Sequence, residues 1–166
     1  MSLSAPVDSL RVIHILRSPV GGLFRHVRDL ARGQAARGHQ VGIIADATTG
    51  GERADEMLAE LAPALSLGVH RLAMRRNPHP SDLLVQRRIN RIAAKADAQI
   101  LHGHGSKGGL YARLPRLVPL PRKRLSVYTP HGGSLHFTPG TSGHIAFTLA
   151  ERVLERGTDL FLFESG

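Results

Sequence analysis

The stretch RVIHILRSPVGGLFRHVRDLARGQAARGHQVGIIA, residues 11–45, decides the fold. Residues 11–16 form a short apolar run rich in β-branched side chains, after which Pro19 and Gly21-Gly22 break the pattern. Leu23, Val27, Leu30 and Ala31 then recur at helical spacing, Gly38 supplies a left-handed stop, and residues 40–45 return to a buried strand. Two strands joined through a helix have to run parallel, so the unit is βαβ.

The same alternation continues outward. Gly-rich residues 48–51 open a helix through Glu56, Leu58 and Leu61, and a weaker strand follows at 69–73. His79-Pro80-Ser81-Asp82 starts a third helix with Leu83, Leu84, Ile89 and Ile92 on one face and arginines on the other. A fourth strand is expected at 99–102, a helix at 106–114, a fifth strand at 125–129, a loop rich in Gly, Pro and His at 130–143, a helix at 144–156 and a sixth strand at 160–163. Right-handed crossovers then give an α/β fold: a three-layer, doubly wound parallel sheet of about six strands, Rossmann-like. The 166 residues suit one domain with a real core, with residues 1–9 expected to lack fixed structure or to be partly vector-derived.

Charge narrows the partners. Twenty-two Lys and Arg against 13 Asp and Glu give +9, and the excess is clustered: residues 71–95 hold Asp82 as their single acid, and residues 113–124 hold none. Such patches attract phosphorylated ligands, acidic lipid surfaces or nucleic acid. Nucleic acid is disfavoured, because two Tyr, five Phe and no Trp provide no stacking platforms among the basic runs. The absence of cysteine excludes disulfides and thiolate metal sites. No apolar run approaches the roughly 18 residues of a membrane span and no leader pattern opens the chain, so a cytoplasmic location is expected.

In a doubly wound sheet ligands bind beyond the carboxyl ends of the strands, which directs attention to residues 18–23, 45–51, 103–109 and 130–136. The segment ILHGHGSKGGL, residues 100–110, supports three readings. Gly103-x-Gly105-x-x-Gly108 has the spacing of a dinucleotide turn, but no acid lies between Asp97 and Glu151 to hold a ribose. Ser106-Lys107 reverses the order of a phosphate loop. His102 and His104 project to one side of an extended segment, where His131 or His136 could join them. No acid is near and the surroundings are cationic, so no metal is expected. What remains is a site for anionic groups and sugar-like hydroxyls. Gly21 and Gly22 would let a ligand approach a helix start, Gly105, Ser106 and Lys107 would offer a second one, and His104 and His131 would bond hydroxyls or phosphates.

Three segments in order carry a resemblance. SPVGGLFRHVRDLARGQAARGHQVGIIA, ILHGHGSKGGLYARL and SVYTPHGGSLHF resemble the first, fourth and fifth strand regions of glycosyltransferase family 4. The resemblance implies the N-terminal half of a GT-B enzyme that transfers a sugar from a nucleotide-sugar donor to a glycan or lipid-linked acceptor, with retention and without a metal or other cofactor. It places Gly21 and Gly22 beside the donor diphosphate and the acceptor. His104, Gly105, Ser106 and Lys107 would contact the acceptor or transferred sugar, and His131 would act at the reaction centre with Gly132 beside it. It also implies a C-terminal donor domain absent from these 166 residues, so that the piece alone is expected to be inactive. The order Glu164-Ser165 reverses the more usual Ser-Glu of that family. Lipid-linked acceptors would give the basic segment from Arg75 to Lys95 a role at the inner face of an anionic membrane. The alternative from a different class is a stand-alone, non-catalytic α/β module that binds a phosphorylated ligand.

Overall fold

A computed structural model describes residues 8–117, 124–131 and 142–164, so most of the N-terminal segment 1–9 and the predicted site residue Gly132 lie outside the described residues. The elements alternate as β1 (Arg11–Leu16), α1 (Gly21–Ala36), β2 (Gln40–Asp46), α2 (Gly51–Leu61) with a 3-10 turn at Ala62–Ala64, β3 (Val69–Leu72), α3 (Asp82–Lys95), β4 (Ile100–His104), α4 (Gly105–Leu117), β5 (Leu125–Thr129), α5 (Ser142–Glu155) and β6 (Leu160–Phe161). The six strands are parallel and ordered β3-β2-β1-β4-β5-β6, the doubly wound arrangement expected from the alternation.

The period of two along each strand sorts its side chains to opposite layers. Ile13, Ile15 and Ile44 pack with Val85, Ile89 and Ala93 of α3 and with Tyr111 and Ala112 of α4. Leu16, Val41, Ile43 and Ala45 face the other way, onto Phe24, Val27 and Ala31 of α1 and Leu58 and Leu61 of α2. His14 is fully buried between Ile13 and Ile15, and its ring meets Gln34 of α1.

Helix α4 lies unusually close to the sheet. A Cβ on Gly108 would stand 2.1 Å from the carbonyl oxygen of Ile15, one on Gly103 would stand 2.4 Å from that of Gly108, and one on Gly109 would meet the Tyr128 ring at 2.3 Å. Two glycines of the spacing that suggests a dinucleotide turn, Gly103 and Gly108, are therefore needed for backbone to press on backbone. Pro115 sits inside α4 and cannot donate to the carbonyl of Tyr111. Gln86 of α3 donates to that oxygen instead, at 3.2 Å, so the helix continues past the proline to Leu117. Arg113 fastens the far side: fully buried, it forms a two-pronged pair with Glu151 of α5 at 2.8 Å and lies 3.8 Å over the Tyr128 ring.

Two strand ends differ from the sequence reading by two residues, while the ends of β2 and β3 and the start of β4 differ by one. β4 extends to His104, because its ladder with β1 and β5 continues to that residue. β6 stops at Phe161, since β5 offers it only Val127 and Tyr128 as ladder partners.

Gly108→Ala is expected to destabilise the fold by about 3 kcal/mol, the range of a forced overpacking. Gly22→Ala, where an added Cβ meets nothing within 4 Å, is expected to stay within about 0.5 kcal/mol. Urea unfolding midpoints of the two variants check the contrast, and equal midpoints would remove the close-packing account.

Candidate functional site

β1, β4 and β5 bring their carboxyl ends together. His14 stands opposite His102 in the ladder, Leu16 opposite His104, and His104 opposite Thr129. Two helices begin at this edge. Gly21, at φ +80°, starts α1, and Gly105, at φ +64°, starts α4; a Cβ on Gly105 would lie 3.3 Å from Leu23, so the two starts adjoin. Neither first turn carries an acid, so no carboxylate of either turn offsets the N–H groups and positive dipole ends of the two helices. Nothing lies within 4 Å of the Cβ positions of Gly21 and Gly22, so that helix start opens onto space a ligand could fill.

Five histidines converge beside these starts. His14 Nε2 lies 2.8 Å from Gln34 Oε1, and His14 Nδ1 lies 2.9 Å from His104 Nε2. His104 Nδ1 lies 3.0 Å from His131 Nε2, and His131 Nδ1 lies 2.9 Å from Glu164 Oε2. The result is one continuous chain from α1 to the segment after β6. His26 on α1 reaches the other carboxylate oxygen of Glu164 at 3.2 Å. His102 stacks on His104 at 4.0 Å between centroids, while its own Nε2 bonds the Thr129 hydroxyl at 2.9 Å. His131 adopts φ +52°, a left-handed conformation that non-glycine residues seldom take and that swings its ring back over the strand ends.

Burial disfavours the charged form of His14, His102 and His104. It lowers His14 to about 4, against a weaker opposing pull from the Gln34 hydrogen bond. It lowers His102 to about 2, with help from the neighbouring imidazoles, and it holds His104 well below the ordinary histidine value. His131 is also lowered by burial, but the Glu164 carboxylate pulls it back up. The cluster therefore offers hydrogen bonds without bringing several fixed charges together.

Among the described residues, His14, His102 and His104, and again His26, His104 and His131, have donor atoms within 4.8 Å of one another. Two nitrogens on one tetrahedral ion at ~2.0–2.1 Å would stand ~3.3 Å apart. The 2.9 and 3.0 Å spacings between His14, His104 and His131 are those of hydrogen bonds.

Gly21, Gly22, His104, Gly105 and His131 thus meet at one edge, and Ser106 follows in the first turn of α4. Lys107 points elsewhere: 7% exposed, it donates to Asp82 at 2.6 Å and to the Asn77 carbonyl at 3.1 Å, while Tyr111 donates to the other Asp82 oxygen at 2.7 Å. Burial pushes the Asp82 carboxyl up, but these bonds, with one from the His79 backbone, hold it below the usual range. Lys107 thereby anchors residues 77–82 to the start of α4. Sequence reasoning missed His14, His26, Gln34, Thr129 and Glu164. The available signal was the polar residue His14 within an otherwise apolar strand and the His-x-His of β4 paired against it.

Residues 20–165 match the family model described as Glycosyltransferase Family 4, which covers most of the chain. The fold is similar to that in a crystal structure of a glycosyltransferase from Rickettsia africae ESF-5, with a TM-score of 0.56 and 15% identity. That similarity covers 95% of this chain and 43% of the other, so the chain spans less than half the length of the protein it resembles. No curated protein matches the chain.

Stability is expected to depend on pH through the buried rings. A histidine neutral in the fold but free to protonate when unfolded lets the unfolded state bind more protons below its ordinary value. Stability is then full above about pH 6.5 and is lost as pH falls toward 4, by ~3 kcal/mol from His14 alone at ~1.4 kcal/mol per unit. Urea midpoints taken between pH 7.5 and 4.5 should fall steadily below 6.5, and less steeply in His14→Asn. A flat profile in the parent chain would contradict the neutral cluster.

Proposed function

The chain belongs to glycosyltransferase family 4, and from that premise we propose that it is the acceptor-binding half of a retaining glycosyltransferase that moves a sugar from a nucleotide-sugar donor to a glycan or lipid-linked acceptor. The observation that carries this reading is the meeting of two helix starts without an acid in the first turn, at Gly21 and Gly105, with His104 and His131 at one sheet edge. A diphosphate leaving group needs positive ends and N–H donors; a sugar needs hydrogen-bonding groups without strong charge. Both kinds of group adjoin here.

In this mechanism the donor sugar approaches His131, and the acceptor lies between the start of α1 and the start of α4. Leaving-group departure gives a loose, oxocarbenium-like transition state. The departing diphosphate takes the acceptor's proton on the same face, so the protein contributes position and charge stabilisation. Helix N–H groups meet the developing charge, and no resident metal or cofactor is required. Gly132, outside the described residues, keeps the substrate-binding role that the family resemblance implies. The nucleotide is held mainly by a second half supplied in cis.

A lipid-linked acceptor suits the neighbouring surface. Arg75, Arg76, Asn77, Pro78 and His79 line an open cavity of about 410 Å³, and Leu83 and Leu84 at the start of α3 are 69% and 59% exposed. Cations beside exposed leucines favour an anionic interface, at roughly 1 kcal/mol per Lys or Arg. The proposed attachment is peripheral, at the inner face; no helix among the described residues is long and apolar enough to cross a membrane.

In the protein carrying both halves, His131→Ala is expected to lower kcat about 100-fold, the scale of losing one well-placed hydrogen-bonding group. Radiolabelled sugar transfer would measure it, and unchanged turnover would refute the role. The 166-residue chain alone is expected to give no transfer. Arg75→Glu with Arg76→Glu should reduce co-sedimentation with vesicles containing anionic lipid and leave binding to neutral vesicles unchanged. Binding indifferent to both charge and salt would remove the membrane reading.

A further inference from the structure

We propose that Gln34 is a remote positioning residue that, through His14 and His104, dictates which nitrogens of His131 carry protons. The proposal rests on the placement of His131 at the reaction centre only for its consequence in catalysis; the chain itself is a matter of geometry.

Each imidazole in the chain uses both nitrogens, so each nitrogen–nitrogen contact shares one proton and its direction passes to the next ring. With Gln34 Oε1 facing His14, as here, that oxygen can only accept, and the His14 proton sits on Nε2. His14 Nδ1 is then bare and accepts from His104 Nε2–H, and His104 Nδ1 accepts from His131 Nε2–H. The remaining His131 nitrogen, Nδ1, faces the Glu164 carboxylate at 2.9 Å and carries a second proton, giving an imidazolium–carboxylate pair.

A half-turn of the Gln34 amide reverses everything. Its nitrogen now donates to His14 Nε2, every ring holds its proton on Nδ1, and His131 is neutral while donating to Glu164. The two arrangements differ by one proton, taken from or returned to solvent. The amide only turns and gives up no hydrogen, so it stops the chain at the α1 end. The orientation of one half-buried side chain on α1 thereby selects the charge presented just beyond β5.

The groups around the chain fit this division. Burial keeps His14 and His104 from holding the extra proton; it lowers His131 as well, but there alone in the chain the Glu164 carboxylate at 2.9 Å opposes it. His26 on α1 competes for the same carboxylate through its other oxygen at 3.2 Å. His102 on β4 stacks against the chain but bonds Thr129 of β5, and so stands outside it.

Long-range proton–nitrogen NMR on the histidine-labelled 166-residue chain tests the idea without any activity. His14 and His104 are expected to show the same tautomer; one Nδ1–H with one Nε2–H would overturn the proposal, whether or not any variant folds. Gln34→Glu, which can only accept when ionised, should fix both rings as Nε2–H and raise the titration midpoint of His131 by about one unit or more. His102→Gln should leave the tautomers of His14 and His104 unchanged. An unmoved His131 midpoint in folded Gln34→Glu would overturn the coupling. In the two-half protein the same substitution should shift the acidic limb of the kcat profile with KM little changed. A shift seen by NMR but absent from the rate profile would leave the chain intact and remove His131 from the reaction centre.

Discussion

The close seating of α4 on the sheet is the constraint on which the rest of the structure depends. Helix and strand backbones meet directly at Gly103 and Gly108, and Gly109 seats the helix against the Tyr128 ring, because none of the three leaves room for a Cβ. That approach fixes the height of the α4 start above the ends of β1 and β4. It also sets the direction in which His104 leaves β4. Had larger residues spaced the helix away, Gly105 and Leu23 could not adjoin, and the two helix starts would not share one opening. The clamps farther along α4 serve the same end. Arg113 ties the helix to α5 and β5, and the Lys107–Asp82–Tyr111 network ties it to the start of α3.

The price of this geometry is a set of buried polar rings, and their mutual bonding offsets it. His14, His102 and His104 are at most 2% exposed, a position where an unpaired imidazole would cost several kcal/mol. Gln34, Thr129 and Glu164 complete the pairing at the ends that the histidines cannot satisfy among themselves. The strands alone could not do so, since Gln34 comes from α1 and Glu164 from the segment after β6. Cluster and fold are therefore interdependent: the helices on one face of the sheet hold the rings, and the rings hold the helix to the strands.

Much of the fold was legible because the period of the sequence changes sharply between 3.6 and 2. The βαβ unit at residues 11–45 has apolar strands, a glycine turn and a glycine stop, and each signal reports a local backbone requirement. Strand ends were less legible: whether His104 joins β4 depends on its ladder partners Leu16 and Thr129, which are distant in sequence. The site divided in the same way. His104 and His131 stand at strand ends, where topology alone makes a residue notable. His14 lies mid-strand among Val12, Ile13 and Ile15, and reads there as core. Gln34 and His26 lie on a helix with many polar positions, and only packing singles them out. The lone acid Asp82 in a cationic segment hinted at a dedicated partner, but nothing in the spacing named Lys107.

The charge of the whole protein and the neutrality of its histidine cluster are two parts of one arrangement. A net charge of +9 draws anions toward the molecule, yet a site built of several imidazolium ions would hold any anion, product or substrate, with equal firmness. Burial removes that possibility by keeping His14, His102 and His104 uncharged. Positive potential at the opening then comes from backbone, through the starts of α1 and α4, whose N–H groups are fixed in place and cannot titrate. At the end of the chain His131 has the Glu164 carboxylate as a neighbour and shares it with His26. Fixed dipoles for attraction and an adjustable charge beside them separate binding from response. That separation needs just such a fold, in which a helix can sit directly on a sheet.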